Sequence, residues 1–240
     1  MDRYLGFRLY GTMASWGTIA VGEERQTWSY PTKSAIVGLV AASLGVRRRD
    51  RKRQRELAEA LELTVVVMES GMLLRDYHTV QVSPQRRRVR YRTRKAALES
   101  GELETILSSR SYMTDGDYLI LLRLRSPISG SLDEIKRSLA KPAFVQYLGR
   151  KACPPCLPMQ PGIIEAEDVR SAIVKLRTEL SKALVKPLPS GEWYVYWEPS
   201  ATAGMDSLHT GTRNDFPEDR ERWLFSKRRE NFSVIRPEGE

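Results

Sequence analysis

Residues 85–95, QRRRVRYRTRK, place seven basic side chains in eleven positions, a density that calls for an anionic partner. Read as a strand, Arg86, Arg88, Arg90, Arg92 and Arg94 share one face, and Val89, Tyr91 and Thr93 share the other. Wound as a helix, the same arginines scatter around the axis and no apolar stripe is left to dock it. The alternation therefore predicts one arm of a β-hairpin with a guanidinium-lined face. Such a surface suits nucleic acid, because guanidinium forks match phosphate oxygens and their planes stack on bases. The competing reading is a solvated charge run with no ligand.

A second run, RRRDRKRQR at 47–55, precedes a helical stretch. Cations there oppose the helix dipole, so helix stability does not explain it, and a solvated loop and an accessory contact both remain open. The two runs carry +6 and +7 in a chain whose total is +9, so the remainder is net −4. Basicity confined to two places favours a polyanion docked at defined positions.

Other chemistries find few residues to carry them. The only cysteines, Cys153 and Cys156, lie in ACPPC, and the only histidines are His78 and His209. A closed zinc site needs four ligands, so the cysteine pair is expected to be a plain loop and no metal is implied. Walker A, HExxH, GxSxG and zinc-deaminase patterns are absent from the chain. So is the aromatic string of ordinary sequence-reading RRM domains. Tyr77, His78 and a neighbouring cation could in principle cleave RNA through its own 2′-OH. A lone His in a strand is more often a hydrogen-bonding residue.

The elements that must position these residues follow from periodicity and punctuation. The 240 residues suffice for one large domain or two small ones. Residues 3–11 alternate as a strand, with Tyr4, Gly6, Arg8 and Tyr10 on one side and Leu5, Phe7 and Leu9 on the other. SAIVGLVAASLG (34–45) is apolar nearly all round and ends in Gly45, so it is a helix buried on a sheet. ELAEALE is a second helical piece. Residues 63–70, 72–82 and 117–124 read as strands. Ser131 and Glu134 form a capping box for a short helix closed by Pro142. Residues 147–162 are loop, 167–184 an amphipathic helix, and EWYVYWEP a strand, with SVIRP a further candidate. This order predicts an α+β, ferredoxin-like fold: residues 1–150 as the main unit and 151–240 as a smaller C-terminal one. No apolar run approaches a membrane span, and the N-terminus reads as a strand, so the expected location is cytoplasmic.

Four separated segments, GTMASWG (11–17), YPTKSAIVGLVAASLGV (30–46), LLRDYHTV (73–80) and YLGRKACP (147–154), together resemble the CasD family. RSYMTDGDYLILL (110–122) fits as well. These are the subunits of type I-E CRISPR Cascade complexes that hold the 5′ handle of the CRISPR RNA, and they belong to the RAMP superfamily. The likeness covers roughly the first two-thirds of the chain and is weak beyond, at most around FPEDRERWLFSKRRENF. It implies an RRM-like palm, a β-hairpin thumb at about 79–112, and a small β-rich C-terminal part. The implied partners are CRISPR RNA, the backbone subunit CasC, the large subunit CasA and, through the complex, target DNA. No membrane partner and no cofactor are implied. A separate subunit cuts RNA in type I-E systems, so the chain is expected to be non-catalytic. The alternative is a metal-independent endoribonuclease acting on repeat RNA, as in a type I-C relative.

The resemblance also selects residues. Thr32, Lys33 and Ser34 open the first helix after Pro31, where free N–H groups, a hydroxyl and an ammonium make a phosphate seat. An ordinary N-cap would need only Thr32 or Ser34. Arg25 matches a basic family position. Arg75 and His78 stand where the thumb leaves the palm, on opposite parities, and Arg110 and Tyr112 at its return. Gly149, Arg150 and Lys151 fall where RAMP proteins place an RNA-contacting loop. Trp16 is expected in the core rather than against a base.

Overall fold

The structure, a computed structural model, describes the chain apart from residues 19, 21, 85–88, 102, 127–130, 183–185 and 237–240. β1 (Asp2–Tyr10) leads through the short strands β2 (Met13–Ala14) and β3 (Glu24–Arg25) to α1 (Lys33–Ser43) and α2 (Arg51–Ala60). There follow β4 (Leu61–Glu69), β5 (Met72–Val82), α3 (Arg94–Leu98), β6 (Glu104–Thr114), β7 (Asp117–Leu124) and α4 (Leu132–Ala140). The chain continues through β8 (Gly162–Ala166), α5 (Val169–Lys182), β9 (Trp193–Trp197), β10 (His209–Asp219) and β11 (Leu224–Ile235).

The alternation of β1 places two cores. Leu5, Phe7 and Leu9 pack with Ile36, Val37 and Val40 of α1 on one side of the sheet. Tyr4 joins Ile173, Leu176 and Leu180 of α5 on the other. Gly6 faces α5 with no room for a side chain, since a Cβ there would stand 2.8 Å from the Leu176 methyls. Arg8, on the same face, is buried and forks onto Asp117 of β7 at 2.8 and 2.5 Å. The sheet is thus covered on both sides, and β1, β4 and β7 are nearly continuous in burial. Seven strands run in the order β10-β11-β9-β4-β7-β1-β8, antiparallel at every pairing. Four of the seven, β8 to β11, come from the chain after residue 150.

Local signals act as the residues predict. Thr32 caps α1, and Gly45 ends it in the left-handed region at φ 74°. Val46 N–H reaches Ala41 O at 2.8 Å and Gly45 N–H reaches Ala42 O at 3.2 Å, the paired bonds of a Schellman end. Ser131 caps α4, accepting from Glu134 N–H at 3.2 Å. The stripe Val169, Ala172, Ile173, Leu176, Leu180 of α5 is buried, while Leu184 lies outside the described residues.

The basic segment departs from its expected conformation. The two arms of the hairpin are β5 and β6, paired without a break from Met72↔Thr114 to Val82↔Glu104. Residues 89–95 of the basic run lie between the two arms and belong to neither. Arg86 and Arg88 are outside the described residues, 89–93 are irregular, and Arg94 opens α3. The reason is that β6 occupies all of β5, so Arg90, Arg92 and Arg94 have no strand left to pair with. Thr93 then caps a helix through Ala96 N–H at 3.2 Å, and Ala96, Ala97 and Leu98 are good helix formers.

Candidate nucleic-acid interface

Eleven paired residues per strand make β5–β6 a two-stranded ribbon about 35 Å long. Alternate residues share a face, so Asp76 and His78 lie on the same side as Arg110 and Tyr112. β3 runs beside β6 in parallel register with Arg25 next to Arg110, which brings Arg25 to that face too. His78 Nε2 is held 2.5 Å from Asp76 Oδ2. Arg75 and Tyr77 point to the opposite side, as their parity predicts. Arg75 and Arg110 are exposed, and Tyr77 is 62% exposed. Arg25 is exposed as well, its Nη1 donating to Gly22 O at 2.6 Å and Glu24 O at 3.0 Å. At the tip, Arg90 and Arg92 are exposed, with no ion-pair partner among the described residues. Arg94, also exposed, donates to Gln81 O and so ties the tip helix to the end of β5.

Two expected RNA contacts prove to be bound by the protein itself. Tyr112 is buried beneath Arg150, whose guanidinium carbon lies 4.6 Å from the ring centre, so the ring has no free face to offer a base. Arg150 also donates to Ser111 O at 3.2 Å and Arg25 O at 2.9 Å, joining its loop to β6 and β3. Gly149 does permit a close backbone approach, but to Ser15: with φ at 86°, a Cβ there would fall 1.7 Å from Ser15 O. Lys151, next along the loop, is exposed.

The phosphate seat expected at the start of α1 is filled from within. Lys33 is 1% exposed and its Nζ lies 2.7 Å from Glu198 Oε1. Burial pulls this ammonium below the ordinary lysine range, and Glu198 acts in the other direction. The Lys33 N–H, which would have faced a phosphate, donates to Asp215 Oδ2 at 2.8 Å. A carboxylate from β10 thus supplies the anion that the positive helix end attracts. Thr32 is buried, accepting from Ala35 N–H and contacting Trp16 O, and its hydroxyl sits 3.2 Å from that of Ser34. Ser34 is half-buried. Trp16 is core, edge-on to Tyr118 at 5.5 Å.

The run at 47–55 divides. Arg51 reaches Glu221 at 2.7 Å and Asp219 at 3.5 Å, and Arg55 reaches Glu59 at 2.7 Å, exposed pairs of small energetic weight. Arg48 instead lies 4.5 Å from the ring centre of Trp223. Sequence reading passed over Trp223, Arg220, Arg213 and Asp215, all from β10–β11 and the turn between them. Their strand carries Gly, Asn, Pro and Asp, and its buried positions Arg213 and Asp215 are charged, so no apolar alternation marks it. Cys153 is buried and Cys156 exposed, both as free thiols. Among the described residues no group of three or more His, Cys, Asp or Glu is placed to hold a metal.

The family described as CRISPR-associated protein (Cas_Cas5) matches residues 4–230. The CRISPR system Cascade subunit CasD of Escherichia coli (strain K12) is 31% identical over 182 residues, 72% of this chain and 77% of that one. A chain of a solved CRISPR RNA-guided surveillance complex superposes with a TM-score of 0.62 at 26% identity, covering 97% of this chain and 89% of that one. A crystal structure of a Cas protein gives the same score and identity over 98% and 96%.

Proposed function

The chain belongs to the Cas5 family of CRISPR-associated proteins, and on that premise we propose that it is a non-catalytic, CRISPR RNA-binding subunit of a type I-E Cascade antiviral complex. It holds the repeat-derived 5′ handle and caps that end of the assembly. The observation that carries this reading is the β5–β6 ribbon, with exposed cations at its base (Arg25, Arg110) and tip (Arg90, Arg92). An exposed ribbon of this length gains little from folding alone. Met72 at 73% exposure and Leu73 at 59% leave apolar surface along it, as expected of a segment that docks on neighbouring subunits.

In this reading β1, α1, β4, β7, α4 and β8 are a ferredoxin-like palm and β5–β6 its thumb. The strand order β8-β1-β7-β4, with α1 between β1 and β4 and α4 between β7 and β8, supports it. The palm then ends after β8, somewhat past residue 150, and β9 to β11 are the C-terminal addition. CasC and CasA are the protein partners, and target DNA is met through the complex. No helix of the described residues is long and apolar enough to cross a membrane, and the cytoplasm is the proposed location. The non-catalytic assignment is supported by the parity of β5: Tyr77 and His78 point to opposite faces, so they do not converge on one scissile phosphate.

The test uses the purified full chain with labelled repeat RNA and with the isolated handle, without added metal. About five neutralised phosphates should weaken binding roughly a hundredfold between 50 and 200 mM salt, with the RNA intact on a denaturing gel. A discrete cleavage product that disappears in His78→Ala would overturn the assignment and make the chain a processing nuclease.

A further inference from the structure

The positive end of α1 is blocked by Asp215, but a cation-rich cleft opens further along the helix. Two adjoining cavities of about 160 and 430 Å³ share Gly38, Ala42, Arg48, Tyr147 and Arg220 in their walls, and Trp223 borders the smaller. Among the described residues, no carboxylate lines either one. This sets Arg220 apart from Arg8, Arg123, Arg213 and Arg228, each of which faces at least one Asp or Glu. Arg220 is half-buried, and its polar contact is a donation to Ser34 O at 3.2 Å. Burial disfavours its charge and Arg48 adds repulsion. Both guanidinium groups lie near the ring of Trp223, at 5.6 Å for Arg220 and 4.5 Å for Arg48.

Two backbone features hold this arrangement in place. Gly38 sits inside α1, where glycine is unfavourable relative to alanine, yet a Cβ there would stand 2.9 Å from Arg220 Nη2. The missing side chain is what lets the guanidinium lie against the helix. Trp223 adopts φ of 57°, a conformation that a bulky residue seldom takes, and is 55% exposed at the mouth of the cleft. Two cations without a counter-charge among the described residues, seated at the cost of a helix glycine and a strained tryptophan, are arranged to receive an anion. The larger cavity has the size of a small-ligand site.

We propose that Arg48 and Arg220 seat one phosphate of a nucleotide unit, with Trp223 and Tyr147 flanking its sugar and base. The occupant is a nucleotide of the RNA handle, an assignment that rests on the RNA-binding reading above. The site lies on the C-terminal turn and the 47–55 run, neither of which the ribbon explains. It replaces the seat that Lys33 was expected to provide.

The experiment is a titration of the full chain with labelled handle RNA, read by anisotropy across a salt series and by tryptophan emission. Arg48→Gln, at an exposed position where folding is not at risk, and Arg220→Lys should each weaken RNA binding about tenfold. Arg48→Gln should also reduce the log–log salt slope by about 0.7, one phosphate's share on a single strand. RNA should quench emission in the parent chain and much less in Trp223→Phe. Uridine monophosphate at millimolar concentration should reproduce none of this. Unchanged affinity and slope in both arginine variants, with quenching intact in Trp223→Phe, would overturn the seat while leaving ribbon binding standing. Quenching by the mononucleotide as strong as by RNA would make it a free-nucleotide site and overturn the RNA assignment. A parent chain that binds no RNA would remove the handle reading, and the seat with it.

Discussion

The β5–β6 ribbon and the β10–β11 hairpin are both rich in arginine, yet they use it in opposite ways. In β10–β11 the Arg213 and Arg228 side chains are enclosed and answered by carboxylates, while Lys227 and Arg229 point outward. Arg228 reaches Asp215 at 2.6 Å and Glu230 at 2.5 Å, and Arg213 lies 4.0 Å over the ring of Tyr30, whose hydroxyl donates to Glu230 at 2.7 Å. Lys33 joins them through Asp215 and Glu198. In the ribbon, Arg75, Arg90, Arg92 and Arg110 remain exposed. Cation content alone therefore says little about where a polyanion docks. The distribution of carboxylates decides it, because a buried pair satisfies the charge that a phosphate would otherwise neutralise.

The sharpest way to break this contrast is to remove one answering carboxylate. Asp215→Ala removes the acceptor shared by Arg228 and the Lys33 N–H, and with it the carboxylate that stands 3.5 Å from Arg213. It should cost about 3–5 kcal/mol of stability in urea unfolding, as expected for breaking a buried ion pair. Asp76→Ala on the exposed ribbon should cost under about 1 kcal/mol. Equal losses at the two positions would mean that the regions do not differ as described.

The converse change strips the ribbon tip. Replacing Arg90, Arg92 and Arg94 together with Gln should leave the melting temperature within a degree or two of the parent. It should reduce the salt slope of RNA binding by about 2, the share of three phosphates. A stability loss without a change in slope would assign the tip a structural role.

The smallest effect concerns the turn that carries Trp223. The backbone N–H of Arg222 is the main influence holding the Asp219 carboxyl below its ordinary value of 3.8; burial acts against it, and the Glu221 N–H and the Arg51 and Arg222 charges assist. Asp219 Oδ1 accepts those two N–H groups at 3.1 and 2.9 Å. Because the folded state favours the charged form, its stabilisation is complete above about pH 3.8 and fades as pH falls through the lowered folded value. The difference in melting temperature between the parent and Asp219→Asn should accordingly shrink below pH 4. A difference that stays constant down to pH 2 would show that the carboxylate does not shape the turn.

Much of the scaffold was legible from local rules. The alternation of β1, the cap and glycine end of α1, the Ser131–Glu134 box, β7 and the stripe of α5 each depend on residues within a few positions of one another. Blocks such as YPTKSAIVGLVAASLGV carried the family likeness for the same reason. Arg25 and Arg110 were selected through the family likeness, and the structure places them side by side. Legibility failed where the deciding neighbour is remote. β10 hides its buried positions as Arg213 and Asp215, whose partners lie on β11 and before α1, so no hydrophobic period betrays it.

Sequence by itself determined which residues of β1 and α5 share a face, where α1 and α4 begin, and to which family the chain belongs. Tertiary structure decided what covers each face. Asp215, 182 residues from Lys33, closes the seat at the start of α1, and Arg150 covers Tyr112. β6 takes the whole length of β5 and leaves Arg90, Arg92 and Arg94 outside both strands. Periodicity and caps act over one or two turns of chain, whereas a charge or a ring is satisfied by whatever the fold brings within a few ångströms, and only the folded chain specifies that neighbour.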